Sequence, residues 1–404
     1  MSKTSKLSKI EKIIFGGNGI TRIDGCVTFV PFSAPGDEVL LKITTKKKNY
    51  QIAQIEKIFH EGPGRRSPKC PHFKKCGGCQ LQHLDYQTQL EAKKGFLQEA
   101  LRIENIPIHS SDSEWNYRSN IRLNLRKEGN GFKMGYIGID NHSLVEPTMC
   151  PLFSEDPELF KRLKEGLFSL SNQGIHSASL RIFNEGKGVI LAFSFFPKLP
   201  EKLLSFSFAI GACYKSPGRE EHLGDTSLTK DILGIPAPFS PYGFMQNNLP
   251  LSEKLYQTVL DWIGEKPQII FDLYCGVGIT STLLKEKGHD VIGVELNRSI
   301  SPCGNFKMHY GAVETVLPTL KAKPDVIIVN PPRTGLSKEV RVLLDSQKIL
   351  YVSCMPSTLA RDLQELSSRY TVKRVEGFDL FPQTTHVETV VMLQSKKKSL
   401  AGDS

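Results

Sequence analysis

The stretch FDLYCGVGI (271–279) decides the fold. Its first residues are apolar and strand-like, and its last open a helix. Gly276 and Gly278 permit a tight turn and close approach of the backbone to a ligand. Outward from this loop, apolar runs at 268–273, 291–295, 326–330 and 349–353 alternate with helical stretches at 279–287, 313–321, 338–345 and 358–367. That alternation predicts a parallel, doubly wound α/β sheet of Rossmann type. Two late runs, 372–378 and 387–394, have no helix between them and predict an antiparallel pair at one edge.

Glu295 ends the strand after the loop, nineteen residues beyond Gly276, where an acid takes the ribose hydroxyls of a nucleoside cofactor. Two departures argue against a dinucleotide. Ser281 stands where a third glycine would be, and Asp272 and Tyr274 line a site with no need to hold phosphate. S-adenosylmethionine, which carries no phosphate, is favoured over NAD. NPPRTG (330–335) follows the next core strand, at the sheet end where such folds bind ligands, so Asn330 is placed to reach cofactor or base.

Cys354, in SCMPSTLARD (353–362), and Glu388, in THVETV (385–390), follow the cofactor loop. A thiol and a carboxylate in that order suit methylation at C5 of a pyrimidine. C5 is a poor nucleophile until a thiolate adds to C6, and a base must then remove the C5 proton. Ser357 is the expected N-cap of the following helix, whose field would lower the thiol pKa. Cys275, one residue before the glycine turn, is read as packing.

A second chemistry-bearing cluster lies upstream. CPHFKKCGGC (70–79) spaces its thiols C-x5-C-x2-C, and Cys150 is the candidate fourth ligand. Four thiolates fit zinc or an iron–sulfur cluster, and the x5 gap with two glycines favours [4Fe–4S]. His72 and His83 are read as structural.

The net charge of +10 is concentrated at the start, with 17 Lys plus Arg against 9 Asp plus Glu in residues 1–100. Such a surface suits a polyanion, nucleic acid first among them. Runs at 27–31, 38–43 and 51–58, separated by turns such as Ala34-Pro35-Gly36-Asp37, predict a five-stranded OB-like barrel. An amphipathic helix is expected over 85–104, and RSNIRLNLRK (118–127) reads as a half-exposed strand with a basic face. The expected division is 1–60, 61–240 and 241–404. No signal-peptide core or run of about eighteen apolar residues exists, so a cytoplasmic, non-membrane protein is expected.

These motifs together resemble the RNA uracil-5-methyltransferases, specifically the iron–sulfur, TRAM-domain branch acting on 23S ribosomal RNA. GGNGITRIDGCVTFVPFSAPGDEV (16–39) resembles the TRAM module, and CQLQHLDYQTQLEAK (79–93) resembles the iron–sulfur segment. The resemblance implies Cys70, Cys76, Cys79 and Cys150 as [4Fe–4S] ligands. It implies Gln246 (in FMQNN), Tyr274, Glu295 and Asn330 as S-adenosylmethionine contacts, Cys354 as nucleophile and Glu388 as base. The implied partner is ribosomal RNA, with transfer RNA second; no obligate protein partner is evident. Asn330 replaces the family's Asp, and Met355 its Asn. Only eleven residues (296–306) separate Glu295 from the next strand, so a crossover helix is expected to be shortened or lost. The rival readings are transfer-RNA methylation, an amino-methyltransferase using NPPR, and an RNA-binding protein that has lost catalysis.

Overall fold

The computed structural model describes residues 5–129, 131–154, 156–168, 170 and 173–397. The chain forms two compact units, neither contiguous in sequence. One comprises Met1–Gly95, Ser113–Thr226 and Phe381–Thr385; the other comprises Phe96–Asp112, Ser227–Leu380 and His386–Ser404.

The first unit begins with a six-stranded sheet. Its opening run bends once. Lys6–Lys9 pairs with Glu38–Lys46, while Lys12–Ile13 pairs with Asn18–Ile23. One chain run thus borders both ends of the sheet and closes it, so five runs give six strands and the expected OB-like barrel. Alternate side chains point inward, and Ile23, Val30, Val39, Leu41 and Ala53 form the core. The Gly36–Asp37 turn is tied down from within. Buried Asp37 accepts from the backbone N–H of Ala34 at 2.7 Å and of Gly62 at 2.9 Å, and from Arg65 Nε at 2.9 Å. Burial alone would raise this carboxyl, but Arg65 and the two amides hold it below its ordinary value.

A seven-stranded sheet follows in the same unit. The helix Pro157–Leu167 covers one of its faces, packing Leu159, Phe160, Leu163 and Leu167 against Leu123, Leu125, Leu180, Ile182 and Phe193. The helix starts where it does because Asp156 accepts from Glu158 N–H at 2.9 Å and Pro157 has no N–H that needs an acceptor.

The second unit is built on eight strands. Their order is Lys307–Tyr310, Asp290–Glu295, Ile269–Leu273, Val326–Val329, Lys348–Ser353, Glu388–Ser395, Tyr370–Phe378 and Ile108–His109. The first five are mutually parallel, and Glu388–Ser395 runs antiparallel to both its neighbours. The expected doubly wound sheet with an antiparallel edge is therefore present. Sequence reading missed the two-residue strand at 108–109, which is too short to show a period. Odd-numbered residues of the central strands, among them Phe271, Leu273, Ile327, Val329, Ile349, Tyr351 and Val391, pack with Val313, Val340, Leu359 and Leu366 from the helices of one layer.

Two local expectations are corrected, and a third is met. The helix expected over 313–321 is one α-turn, Val313–Val316, followed by a 3-10 turn, Leu317–Thr319, because Pro318 lacks the N–H an α-helix needs. Ser357 is not a cap: the helix starts at Pro356 with Met355 as N-cap and no side-chain hydrogen bond. The connection 296–306 carries no helix, as its length implied. Instead it folds back on the cofactor loop. Cys303 N–H donates to Val277 O at 2.9 Å, and a Cβ at Gly278 (φ +77°) would lie 2.2 Å from the Phe306 ring. Only glycine fits there, on both steric and backbone grounds.

Candidate active site

Strand register brings the two proposed reactive groups together. Ser353 pairs with Thr389 across the antiparallel seam. One step further out, Cys354 comes opposite Glu388. Opposed residues on such a pair project to the same side, with Cβ atoms about 5 Å apart. Pairing by twos puts Asp272, Ile328 and Val352 on this same, even-numbered face.

That face walls a pocket lined by Asp272, Tyr274, Gly276, Ile328, Asn330 and Val352, with Gln246 and Phe244 from the preceding segment. Three of the four proposed cofactor residues, Gln246, Tyr274 and Asn330, thus share one cavity. Cys354 does not line it, but it lies two residues past Val352, about 7 Å along an extended chain. Glu295 is also outside the lining. Its carboxylate accepts from Gly276 N–H at 3.0 Å and from Asn297 N–H at 2.8 Å, so it fixes the loop from below. Tyr274 adopts φ +63°, a left-handed conformation uncommon for a bulky residue. The absent third glycine has its explanation here. Ser281 Oγ donates to Asp272 at 2.6 Å, and burial pushes the Asp272 carboxyl up to about 6 despite that bond.

Glu388 is 4% exposed, and burial pushes its carboxyl up to about 7, with Arg333 pulling the other way. The Cys354 thiol is raised, first by burial and then by the negative charge of Glu388; Arg333 opposes both by charge and by a hydrogen bond. This corrects the expectation of a lowered thiol. A helix N-terminus contributes a partial charge only, and here desolvation with a facing carboxylate outweighs it. Arg333 Nη2 also lies 3.4 Å from His386 Nε2.

Arg333, His386 and the groups that hold them were not found as site residues from sequence. The helix that follows Cys354 clamps the Arg333 loop. Thr358 Oγ1 donates to Arg333 O at 3.1 Å, and Arg361 Nη2 to Thr334 O at 2.9 Å. Buried Asp362 accepts from Leu336 N–H at 2.8 Å and from Tyr351 OH at 2.7 Å. At Gly335 (φ +73°) a Cβ would stand 2.6 Å from Asp362 Oδ2. The motif TLARD is thus the support of NPPRTG, a relation with no signal in either motif alone.

In the first unit, Cys70, Cys76, Cys79 and Cys150 all line one small cavity, together with Arg118, Tyr136 and Gln82. Burial raises the thiols of Cys70 and Cys76, and that of Cys79 to about 12. Arg118 lowers Cys76 and Cys79 in part, and Gly78 N–H donates to Cys76 Sγ at 3.4 Å. No set of three His, Cys, Asp or Glu residues among the described residues is disposed to hold a metal ion. His72 Nε2 accepts from Thr148 N–H at 2.9 Å, and His83 Nε2 bonds Ser33 O at 2.9 Å, so both histidines are structural as expected.

Comparison with known proteins agrees with this layout. Residues 319–396 match the family described as tRNA (Uracil-5-)-methyltransferase, and residues 8–63 match the TRAM domain of tRNA (uracil(54)-C(5))-methyltransferase. An uncharacterized RNA methyltransferase of Protochlamydia amoebophila is 37% identical, with 96% of each chain covered. Another, from Clostridium tetani, is 31% identical over 96% of this chain and 97% of its own. In fold, the chain is similar to the Pyrococcus abyssi tRNA (uracil-54, C5)-methyltransferase crystallised with S-adenosyl-L-homocysteine. The TM-score is 0.75 at 24% identity, covering 96% of this chain and 100% of that one.

Proposed function

The chain belongs to the S-adenosylmethionine-dependent RNA uracil-5-methyltransferase family, and from that premise we propose that it methylates C5 of an exposed uridine in structured RNA. The observation that carries the assignment of roles is the register that sets Cys354 opposite Glu388 on the face walling the Gln246–Tyr274–Asn330 pocket. Cys354 Sγ bonds to C6 and the ring's π electrons move toward C5 and O4. S-adenosylmethionine, when bound, supplies the electrophilic methyl group. Glu388 then takes the C5 proton, the C5–C6 double bond re-forms and the sulfur leaves. Arg333 offsets the paired negative charges during these steps. Gln246, Tyr274 and Asn330 hold the cofactor, and Glu295 orders its loop and takes the ribose hydroxyls. The base leaves its stack to reach Cys354, which favours a loop or bulge uridine.

The sequence parts divide the work: 1–60 holds RNA, 61–240 carries the cysteine cluster and a basic strand, and 241–404 performs transfer. Arg333 contacts Cys354 and His386, which argues against NPPR serving a base-stacking amino-methyltransferase. 23S ribosomal RNA is the proposed substrate on the strength of the cysteine motif. Transfer RNA is the second reading, supported by the substrate named for the matched families. Nucleoside mass spectrometry of fractionated RNA, with and without the protein, separates them. Loss of 5-methyluridine from one uridine in the 23S fraction is expected; loss confined to transfer RNA selects the second reading, and no loss in either removes both.

The four cysteines are proposed ligands of a [4Fe–4S] cluster that positions RNA or braces the unit. Support comes from the cysteine motif, from the four lining one cavity, and from Arg118, a half-buried cation beside them that would balance thiolate charge; the described side chains as they stand form no ready metal-holding set. Anaerobically purified protein is expected to contain iron and acid-labile sulfide in equal amounts, with visible sulfur-to-iron charge-transfer absorption. Cys79→Ser should remove both. Tightly held zinc without sulfide would replace this assignment.

A further inference from the structure

Backbone strain in this chain gathers at cavities. Ten residues other than glycine, among the described residues, adopt a left-handed φ. One is Tyr274, in the lining of the cofactor pocket. Three more, Phe32 (φ +60°), Lys74 (φ +70°) and Asn141 (φ +62°), line a single cavity of about 670 Å³ in the first unit. Asparagine tolerates that conformation, but phenylalanine and lysine are strained by it. Such strain persists only where the surroundings hold it, and it collects at ligand sites.

Three segments distant in sequence hold these residues in place. Phe32 follows the strand Cys26–Pro31, and its carbonyl accepts from Arg65 Nη2 at 3.0 Å. Lys74 lies in the cysteine loop, which is anchored just beyond it. Ile139 N–H donates to Lys75 O at 3.0 Å, and Gly77 N–H to Ile137 O at 2.9 Å. Asn141 closes the next turn, its N–H donating to Gly138 O at 3.0 Å. The Phe32 ring is braced by Phe73, T-shaped at 5.5 Å between centroids, and Lys74 Nζ stands 5.6 Å from the Phe32 centroid. Lys74 is exposed and forms no ion pair among the described residues. No Asp or Glu lines the cavity among those residues. Asp140, next to the lining residues Ile139 and Asn141, already accepts from the N–H groups of His142 and Ser143 at 2.9 Å each. Ile139, 52% exposed, adds an apolar wall. The carboxamides of Gln54 and Asn141, also in the lining, make no hydrogen bond among the described residues.

We propose that this cavity binds one unpaired nucleotide of the RNA substrate, with its base stacked on Phe32 and its phosphate on Lys74. The parts match the chemistry of a nucleotide. An aromatic ring and an aliphatic wall suit the faces of a base, uncommitted carboxamides suit its polar edge, and a lone ammonium suits the phosphate. A base inside a duplex has its faces covered by its neighbours and does not fit. The proposal rests on the reading that the substrate is RNA. Every lining residue belongs to the unit without Cys354, so the site holds RNA and takes no part in bond making.

The test uses the full-length protein and a short fluorescein-labelled single-stranded RNA, with the same strand in a duplex for comparison. Anisotropy follows binding across a salt series. Phe32→Leu should weaken single-strand binding roughly tenfold and leave duplex binding unchanged. Phe32→Tyr, which keeps the ring, should bind as the native protein does. Lys74→Asn should reduce the slope of log affinity against log salt by about 0.7 for the single strand, and Lys74→Arg should keep the native slope. Melting temperature should hold or rise in Lys74→Asn, because asparagine accepts the left-handed backbone. If Phe32→Leu does not fold, Lys74→Asn, at an exposed position, carries the test alone. Native single-strand affinity and slope in both variants overturns the proposal. So does weaker binding that only tracks a fall in melting temperature, or a loss in Phe32→Leu that is equal for the duplex. Failure of the methylation reading would appear separately, as absence of 5-methyluridine with these binding differences intact.

Discussion

Cys354→Ala is expected to abolish methyl transfer, lowering turnover by roughly four or more orders of magnitude. The argument is chemical before it is structural. Without sulfur at C6, C5 carries no excess electron density and has nothing with which to attack a methyl group. The structure adds the control. Cys354 is only partly buried at a strand end, so removing one sulfur should change stability by about 1 kcal/mol or less. Binding of S-adenosylmethionine, measured by calorimetry, should be close to native, since Cys354 is outside the pocket lining. The measurement is incorporation of labelled methyl into RNA, with nucleoside analysis of the product. Because the thiol is raised by burial and by Glu388, the native rate should also climb with pH as thiolate forms. A variant with undiminished 5-methyluridine production would end the assignment of the nucleophile.

Glu388→Gln should arrest the reaction after methyl transfer. Turnover is expected to fall by about three orders of magnitude, while a protein–RNA adduct resistant to denaturant accumulates. Glutamine keeps the shape but cannot take the C5 proton, so the Cys354–C6 bond is not released. The adduct should vanish in the Cys354→Ala, Glu388→Gln double variant. The same substitution has a signed effect on stability. Burial raises this carboxyl from 4.5 to about 7 in the folded state, so the folded protein binds the proton more tightly than the unfolded chain. The resulting stability is complete below pH about 4.5 and is lost as pH rises to about 7. Glutamine, neutral throughout, should therefore stabilise the protein at pH 8 by on the order of 3 kcal/mol and have little effect at pH 4. Denaturant midpoints at the two pH values measure this. Multiple turnovers at the native rate, with no adduct, would remove Glu388 as the base.

The catalytic sheet was legible because each of its elements writes a local signal. Four apolar runs are matched within a residue or two by observed strands, and the lost crossover helix followed from counting 296–306. The misses share one cause. A two-residue strand at 108–109, the interruption at Pro318 and the start of a helix at Pro356 rather than after Ser357 depend on short stretches whose neighbours outvote them. Within the proposed site, Cys354 and Glu388 were read from their motifs. Arg333 and its clamp of Thr358, Arg361 and Asp362 were not, because their role exists only between two motifs.

The chain's own order of residues marked out the groups proposed to carry chemistry: a thiol, a carboxylate, a glycine turn with its trailing acid, and a set of four cysteines. Residue type and spacing are properties of the covalent chain, and no folding is needed to read them. Tertiary structure alone decided that sulfur and carboxylate face one another, that both stand on the pocket's side of the sheet, and that burial drives each toward its neutral form. Facing and burial follow from strand register and from the low-dielectric surroundings created when distant segments pack, and neither quantity is carried by any one segment of sequence.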